Sequence, residues 1–217
     1  MFGWKRLAGV VGLAQLFMGS AMAADAGETS RAAGDFLVRL RAIGVMPSES
    51  STITPIGGAV DATSTWVPEA DFSYFLTDQV AVELIAAVTK HRGTAVGTAA
   101  GNVPLGSVWL LPPTLTAQYH LRPANKVDFY VGAGINYTHM FSIGKPSAGP
   151  VTAITYGDSF GPALQVGGDY DLSGPWFLNL DLKKVWIKSD VRINGGAINA
   201  KVHLDPWIVG TGIGYRF

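Results

Sequence analysis

The C-terminal stretch Pro206-Trp207-Ile208-Val209-Gly210-Thr211-Gly212-Ile213-Gly214-Tyr215-Arg216-Phe217 decides the fold. Large apolar residues alternate here with small or polar ones, and this period of two is that of a β-strand, whose successive side chains point to opposite faces. One face carries Trp207, Val209, Thr211, Ile213, Tyr215 and Phe217. Such an apolar face is typical of a strand in contact with lipid. A chain that ends on this strand suggests a bacterial outer-membrane barrel.

The N-terminal end predicts export across the inner membrane. A short basic segment, Met1 to Arg6, precedes an apolar run from Leu7 to Met18, and Ala21-Met22-Ala23 has the small-x-small pattern of a cleavage site. Glycines and a glutamine interrupt the apolar run, which is shorter than the ~20 residues that a spanning helix needs. We therefore predict a cleaved signal peptide over residues 1–23 and a single barrel domain over residues 24–217.

The composition excludes several classes of protein. The chain has 16 basic and 16 acidic side chains and a formal net charge of zero, so no basic face is available for nucleic acid. The absence of cysteine excludes disulfides, thiol catalysis and thiolate metal sites. After residue 23 no run of eighteen apolar residues occurs, which leaves no spanning helix. A membrane protein of this composition must be a closed β-barrel.

The alternation of apolar and polar residues predicts eight strands. We expect the first seven at about Asp35–Val45, Trp66–Leu76, Val80–His91, Val108–Leu121, Val127–Met140, Asp158–Tyr170 and Trp176–Ser189. The eighth follows the loop that ends at Ala200 and runs to Phe217. Short turns are predicted at Thr77–Gln79, Arg122–Asn125 and Leu172–Pro175. Long external loops are predicted where glycine, proline and serine cluster, at Met46–Thr65, Gly93–Gly106, Phe141–Gly157 and Asp190–Ala200.

This order of connections predicts an all-β fold, an eight-stranded antiparallel transmembrane barrel with an up-and-down meander. Short turns on one side and long loops on the other are typical of outer-membrane barrels. The sheet must close on itself because an unpaired backbone amide in hydrocarbon costs several kcal/mol. Eight strands enclose an interior that side chains mostly fill, with room for at most one small ligand.

Charged residues indicate which face of each strand points into the lumen, because Arg or Lys on the lipid face near the midplane costs ~2–4 kcal/mol. We expect a network of opposite charges that satisfies buried charge rather than carrying out catalysis. Its predicted members are Arg39, Arg41, Glu69, Asp71, Glu83 and Arg216. The same pattern turns further polar residues inward, namely Gln118, His120, Asp128, Asn136, Gln165, Asp169, Asn179, Asp181 and Lys183.

Four parts of the chain, together and in this order, resemble the OmpW family of eight-stranded outer-membrane proteins, which includes the alkane-uptake AlkL type. They are Tyr74-Phe75-Leu76-Thr77-Asp78-Gln79-Val80-Ala81-Val82-Glu83-Leu84, Leu111-Pro112-Pro113-Thr114-Leu115-Thr116-Ala117-Gln118-Tyr119, Tyr130-Val131-Gly132-Ala133-Gly134-Ile135-Asn136-Tyr137-Thr138, and Leu204-Asp205-Pro206-Trp207 with the terminal Gly214-Tyr215-Arg216-Phe217. The resemblance implies a narrow, largely apolar channel that passes small hydrophobic molecules across the lipopolysaccharide layer. It also places Ile85 at a constriction of the lumen.

Two consecutive prolines give this channel a candidate exit. Pro112 and Pro113 lie within the predicted fourth strand, and proline cannot donate a hydrogen bond to a neighbouring strand. One interpretation is an ordinary bulge or the end of the membrane region. The functional hypothesis is a lateral gap through which an apolar solute leaves the lumen into the bilayer, assisted by Pro162 on the sixth strand.

Some of the inward-facing residues are expected to line the channel. These are Ile85, Ala87, Gln118, His120 and Lys183. We expect the Lys183 ammonium to pair with the carboxylate of Asp181 or Glu83. Lys184 should then face outward near the upper rim, where its amine can reach the interface.

The sequence leaves other functions open. A lipid-modifying barrel enzyme needs a nucleophile beside a base, but none of the four histidines has a serine within two positions. A soluble barrel of lipocalin type is suggested by Gly174-Pro175-Trp176, although that motif falls near the end of the chain. A structural barrel, or a surface receptor for phage or colicin, would act through the loops Met46–Thr65 and Phe141–Gly157.

The prediction is a monomeric outer-membrane protein for passive uptake of small hydrophobic solutes, in contact with membrane lipid and lipopolysaccharide. We expect no catalytic residue, no nucleic-acid partner, no cofactor and no metal. The histidines lack metal-ligand spacing, because no two of them lie on alternate strand positions or within one turn.

Overall fold

The computed structural model describes residues 31–124, 126–144 and 151–217. The predicted signal peptide therefore lies outside the described residues, as does Asn125 of the second short turn. Within the described ranges no helix is long and apolar enough to cross a membrane. The strands are β1 (Phe36–Met46), β2 (Ser50–Thr54), β3 (Ala59–Ala62), β4 (Thr65–Phe75), β5 (Val80–Ala87), β6 (Thr89–Thr98), β7 (Gly101–Leu111), β8 (Thr114–Ala124), β9 (Val127–Gly144), β10 (Ile154–Tyr156), β11 (Ser159–Asp171), β12 (Trp176–Val185), β13 (Lys188–Ile193), β14 (Ile198–His203) and β15 (Trp207–Arg216). One 3₁₀ turn, Asn194–Gly196, joins β13 to β14.

Eight of these strands form a closed antiparallel ring. Its order is β1, β4, β5, β8, β9, β11, β12 and β15, after which β15 pairs with β1 again. The first and last strands meet in the register Leu37↔Arg216 to Met46↔Trp207. Because each ring strand pairs with another ring strand on both sides, the ring has no open edge. The predicted eight-stranded antiparallel meander is thus confirmed.

Strands continue beyond the ring at the end where long loops were expected. There β3, β6 and β7 extend one wall beside the end of β9, while β10, β13, β14 and β2 form a second sheet. The prediction of a loop over Gly93–Gly106 is wrong, because β6 and β7 form a hairpin in which these two glycines lie opposite each other. Gly106 has φ 85° next to a register shift, so it marks a bulge within the sheet rather than a turn.

The other predicted long loops also contain strands, and the physical reason is burial of their apolar side chains. Apolar residues of β2, β3, β10, β13 and β14 alternate and turn inward to build a buried cluster above the ring. Its buried members include Ile53, Val60, Val191 and Val202, together with Leu105 of β7. Interior packing therefore holds these segments as strands, although their serine, threonine and glycine content predicts turns.

The inward side chains of β1 show how the interior is layered. From the short-turn end upward they are Leu37, Arg39, Arg41, Ile43 and Val45, all of them buried. An apolar floor therefore comes first, a charged layer next and an apolar layer above it. The floor packs Leu37 against three other buried residues, Phe75, Ala81 and Phe177.

Alternate residues along the ring strands face outward and are apolar. On β5, for example, Leu84 is 48% exposed while Glu83 and Ile85 beside it are buried. The same alternation places Lys183 inside and Lys184 outside on β12. The Lys184 amine donates a hydrogen bond to the carbonyl oxygen of Asp205 and lies 5.0 Å from the Trp207 ring. Its outward position at the rim is as predicted.

Candidate channel site

The charged layer is centred on Arg39, which is fully buried. Its guanidinium Nη1 lies 3.0 Å from Asp71 Oδ1, and its Nη2 lies 2.8 Å from Asp169 Oδ2. Nη1 also donates to the hydroxyl of Ser73 at 2.7 Å. Asp71 and Ser73 lie on β4, which pairs with β1. Asp169 lies on β11, which does not pair with β1, and reaches Arg39 across the lumen. The arginine thus ties opposite walls of the barrel together.

Arg41 and Lys183 form the upper part of this layer. Arg41 Nε lies 2.9 Å from Glu69 Oε1, and its Nη2 lies 2.6 Å from Asp71 Oδ2. The Lys183 amine lies 2.8 Å from both Glu69 Oε1 and Asp181 Oδ1. The expected pairing of Lys183 with Asp181 is therefore present. Its second partner is Glu69 and not Glu83, which lies 3.4 Å from the Arg41 guanidinium.

Arg31 closes the lower end of the charged layer and is a residue that the sequence pattern did not reveal. Its side chain is 2% exposed, and its guanidinium lies 3.1 Å from Asp171, 3.4 Å from Asp128 and 3.5 Å from Asp169. It also lies 4.7 Å from the centre of the Phe177 ring. Because Arg31 precedes the first strand, no alternation of residues could have indicated its direction.

The polar residues Gln118 and His120 belong to this lower layer. His120 Nδ1 lies 3.0 Å from Asp128 Oδ2, and its Nε2 lies 3.2 Å from Gln118 Oε1. Both side chains are buried as predicted, but they lie within the hydrogen-bonded layer and not beside the cavity described next. Arg216 is half-buried at the end of β15, in register with Leu37 of the floor.

A cavity of about 40 Å³ lies above the charged layer, and its floor is the Glu69–Lys183 ion pair. Most of its walls are aliphatic. They comprise Ile43, Val45, Pro47, Ile85, Ala87, Thr89, His91, Leu110, Pro112, Thr114, Asn136, Val185, Ile187, Leu204, Pro206 and Ile208. Three predicted channel-lining residues, Ile85, Ala87 and Lys183, are therefore brought together here. This cavity is smaller than the apolar cavity of ~150 Å³ that accommodates benzene, so a molecule of that size would fit only if side chains moved.

The wall of this cavity is interrupted at Pro112 and Pro113. Below them Ile85 pairs with Thr114, and above them Thr89 pairs with Leu110 in the same register. The residues between, 86–88 and 111–113, form no ladder pairs with each other, although Ala86 pairs with Ala70 and Leu111 with His139 on their other sides. The register is the same on both sides, so no residue is inserted as in a bulge; the pairing is missing because proline has no N–H to donate.

The other side of the prolines remains attached to β9. The Tyr137 amide donates to the Pro113 carbonyl at 3.0 Å, and the Asn136 side-chain amide donates to the Pro112 carbonyl at 3.2 Å. The gap is therefore confined to the boundary between β5–β6 and β7–β8. Pro162 lies elsewhere, on β11, where pairing continues to Ile135 on one side and the Trp186 amide donates to the Pro162 carbonyl on the other.

A model of the OmpW family matches residues 32–217 of the chain, which is most of its length. The chain belongs to the OmpW family. Outer membrane protein W of Escherichia coli (strain K12) is 36% identical over 211 residues, which cover 93% of this chain and 94% of that protein. The dibenzothiophene metabolism operon protein PahQ of Pseudomonas aeruginosa is 32% identical over 164 residues, which cover 74% of this chain and 76% of that protein.

A solved structure supports the same assignment. The crystal structure of the outer membrane protein OprG from Pseudomonas aeruginosa superposes with a TM-score of 0.79 at 30% sequence identity, and the match covers 88% of this chain and 99% of that chain. The family and the barrel fold confirm that this OmpW-family protein lies in the outer membrane. Its short-turn end therefore faces the periplasm, and the extended strands face outward.

Among residues 31–124, 126–144 and 151–217, no group of three or more His, Asp or Glu side chains could hold a metal ion. The carboxylates of the charged layer contact arginine and lysine side chains.

Proposed function

We propose that this barrel takes up small apolar molecules, which reach the cavity from the outer end and leave sideways through the Pro112–Pro113 gap into the bilayer. The observation that carries the proposal is the gap itself, which interrupts the wall beside an aliphatic cavity. A polar, ion-paired layer beneath that cavity opposes straight passage to the periplasm. An apolar solute in the cavity thus meets charged side chains below and lipid of similar polarity beyond the gap.

The residues that line the cavity favour binding of an apolar solute over binding of a sugar. The polar groups at the cavity already have partners: His91 Nδ1 contacts the Thr63 carbonyl at 2.7 Å, and Asn136 contacts Thr114 and Pro112. A hydrophilic solute would lose its hydration without gaining equivalent hydrogen bonds, which costs free energy. The name of the relative PahQ associates that protein with dibenzothiophene metabolism, and dibenzothiophene is an apolar compound.

Uptake by cells with an intact outer membrane tests the proposal. We would compare a medium-chain alkane with a small hydrophilic sugar, in cells with and without the protein, and expect a selective gain for the alkane. The Pro112→Val/Pro113→Val variant restores at residue 112 a backbone donor that faces residues 86–88, because the residue 113 carbonyl already faces β9, and it should slow alkane uptake while the barrel stays folded. Pro162→Val is the matched control, since pairing is continuous there, and should leave uptake unchanged. Full alkane uptake by the double variant would reject the lateral exit.

A reversible disulfide across the gap gives a second test, in which the open and closed forms have the same sequence. The shared register places Ala86 opposite Pro113, and the chain has no cysteine of its own. In the Ala86→Cys/Pro113→Cys variant, oxidation should slow alkane uptake and reduction should restore it, because a disulfide joins Cα atoms about 4.4–6.8 Å apart. Equal uptake in the oxidised and reduced forms would contradict a path between these strands.

The cavity is tested separately through Ile85. Ile85→Trp places a larger side chain in the cavity and should block uptake, whereas Leu84→Trp, on the lipid face of the same strand, should not. Full alkane uptake by Ile85→Trp would show that the solute does not pass this residue.

A further inference from the structure

Two cationic side chains lie on the outer wall directly above the gap. Lys90 and Arg92 face outward on β6, and both are exposed. Along the strand they follow Val88, an exposed apolar residue at the gap, at distances of about 7 and 14 Å for a rise of ~3.4 Å per residue. They therefore stand where the apolar outer surface of this wall ends.

Trp109 of β7 shares this position. It is the cross-strand partner of Lys90, whose amine lies 5.2 Å from the centre of its ring. Tryptophan concentrates at the membrane–water interface, where its ring contacts acyl chains and its N–H contacts polar groups. The Lys90–Trp109 pair thus indicates that Lys90 lies at the depth of the lipid headgroups.

These two cations have no carboxylate partner in the part of the chain that the structure describes. No ion pair within 4.0 Å involves Lys90 or Arg92. The nearest carboxylate by register is that of Asp61, which stands opposite Thr94 and shares a hydrogen bond with Glu49. The outward Lys184 of the opposite wall differs, because its amine is already bonded to a carbonyl oxygen.

We propose that Lys90, Arg92 and Trp109 form a binding site for a phosphorylated glycolipid of the outer leaflet. The lysine and arginine would bind its phosphate, since both side chains form strong charge-assisted hydrogen bonds to phosphate oxygens. Its acyl chains would run down the wall across Val88 and Leu111, which are 41% and 37% exposed. Binding needs no transport, so this proposal stands apart from the proposed uptake.

Lipid binding to the purified full-length protein tests the site. The probe is lipid A with both phosphates, added to the protein in detergent, and native mass spectrometry counts the bound lipids. Removing two interfacial cations through Lys90→Gln/Arg92→Gln should weaken binding about 25-fold, if each contributes about fivefold. Arg192→Gln/Lys201→Gln is the matched control: it removes the same charge from exposed positions farther out, where Lys201 already faces Asp190 in register. It should stay within about twofold of wild type.

Two further arms decide which part of the lipid is recognised. Phosphate-free lipid A should bind to the wild-type protein as weakly as lipid A binds to the Lys90→Gln/Arg92→Gln variant. The Lys90→Arg/Arg92→Lys variant should bind lipid A as the wild type does, because both charges remain. Inorganic phosphate at equal phosphate concentration should not displace the lipid. Wild-type affinity in the Lys90→Gln/Arg92→Gln variant, equal binding of phosphate-free lipid, or full displacement by inorganic phosphate would each overturn the proposal.

Discussion

Replacement of Arg39 by methionine tests the role of the charged layer in holding the barrel together. The side chain is 0% exposed, and its guanidinium contacts carboxylates on two different walls at 3.0 and 2.8 Å. Methionine fills a similar volume without charge or donors, so Arg39→Met leaves Asp71 and Asp169 without this cation.

The balance of charge in the interior indicates that this loss is severe. The buried side chains of the described residues include four cations, Arg31, Arg39, Arg41 and Lys183. They include seven carboxylates, Glu69, Asp71, Glu83, Asp128, Asp169, Asp171 and Asp181. Removing one partner of a buried ion pair costs about 3–5 kcal/mol, so Arg39→Met should lower the folding equilibrium constant between about a hundredfold and several thousandfold.

Removal of a carboxylate should have a smaller effect. Asp169→Asn reduces the excess of anions and keeps a side chain that can bond to Asn179, which donates to Asp169 at 2.7 Å. We expect Asp169→Asn alone to be milder than Arg39→Met, and the double variant to recover about 1–3 kcal/mol of the loss.

Equilibrium unfolding in urea, followed by tryptophan fluorescence in lipid vesicles, measures these differences. Arg192→Met, at an exposed position outside the ring, is the control and should change the unfolding free energy by less than about 0.5 kcal/mol. A loss below about 1 kcal/mol for Arg39→Met, or a larger loss for Asp169→Asn, would refute the idea that an excess of buried carboxylates makes each cation essential.

Two other predictions concern the ends of the barrel. Arg31→Ala removes the guanidinium that lies against Asp128, Asp169 and Asp171, and it should raise the K⁺ conductance of the protein in planar bilayers. Unchanged conductance would show that Arg31 does not close the lumen. Asp158 lies before β11, outside the membrane-spanning strands, where hydrogen bonds from His139, Tyr137 and the Met140 amide lower its pKa from 3.8 to about 2. A carboxyl whose pKa is lower in the folded state stabilises the fold above pH 3.8 and loses that contribution as the pH falls towards 2, so Asp158→Asn should remove this acid-dependent part of the unfolding free energy. An identical pH dependence in wild type and variant would contradict it.

The sequence alone predicted much of the ring and part of the site. The short turns at Thr77–Gln79 and Leu172–Pro175 lie where turn chemistry places them, with the Leu76 amide bonded to the Val80 carbonyl and the Leu172 amide to the Trp176 carbonyl. The prolines at 112 and 113 predicted an interrupted ladder, which the register shows. The long-loop predictions failed because β6, β7, β13 and β14 become strands through burial of their inward side chains.

The placement of side chains around the lumen was only partly predictable. Alternation correctly turned Ile85 and Lys183 inward, but it also grouped them with His120 as channel-lining residues. In the structure His120 belongs to the lower polar layer, several residues below the cavity. Height along the barrel depends on the register between strands, which a single strand does not reveal.

What the sequence by itself determined is therefore the eight strands of the ring and the two faces of each. These follow from local physics, because a strand with lipid on one side must alternate and a buried charge must point to the lumen. Only the tertiary structure decided which charges meet, such as Lys183 with Glu69, 114 residues apart in the chain. It also decided that Arg31 lies in the lumen and that the gap opens onto an aliphatic cavity. These contacts cross the closed barrel, and closure brings together side chains whose proximity no local pattern records.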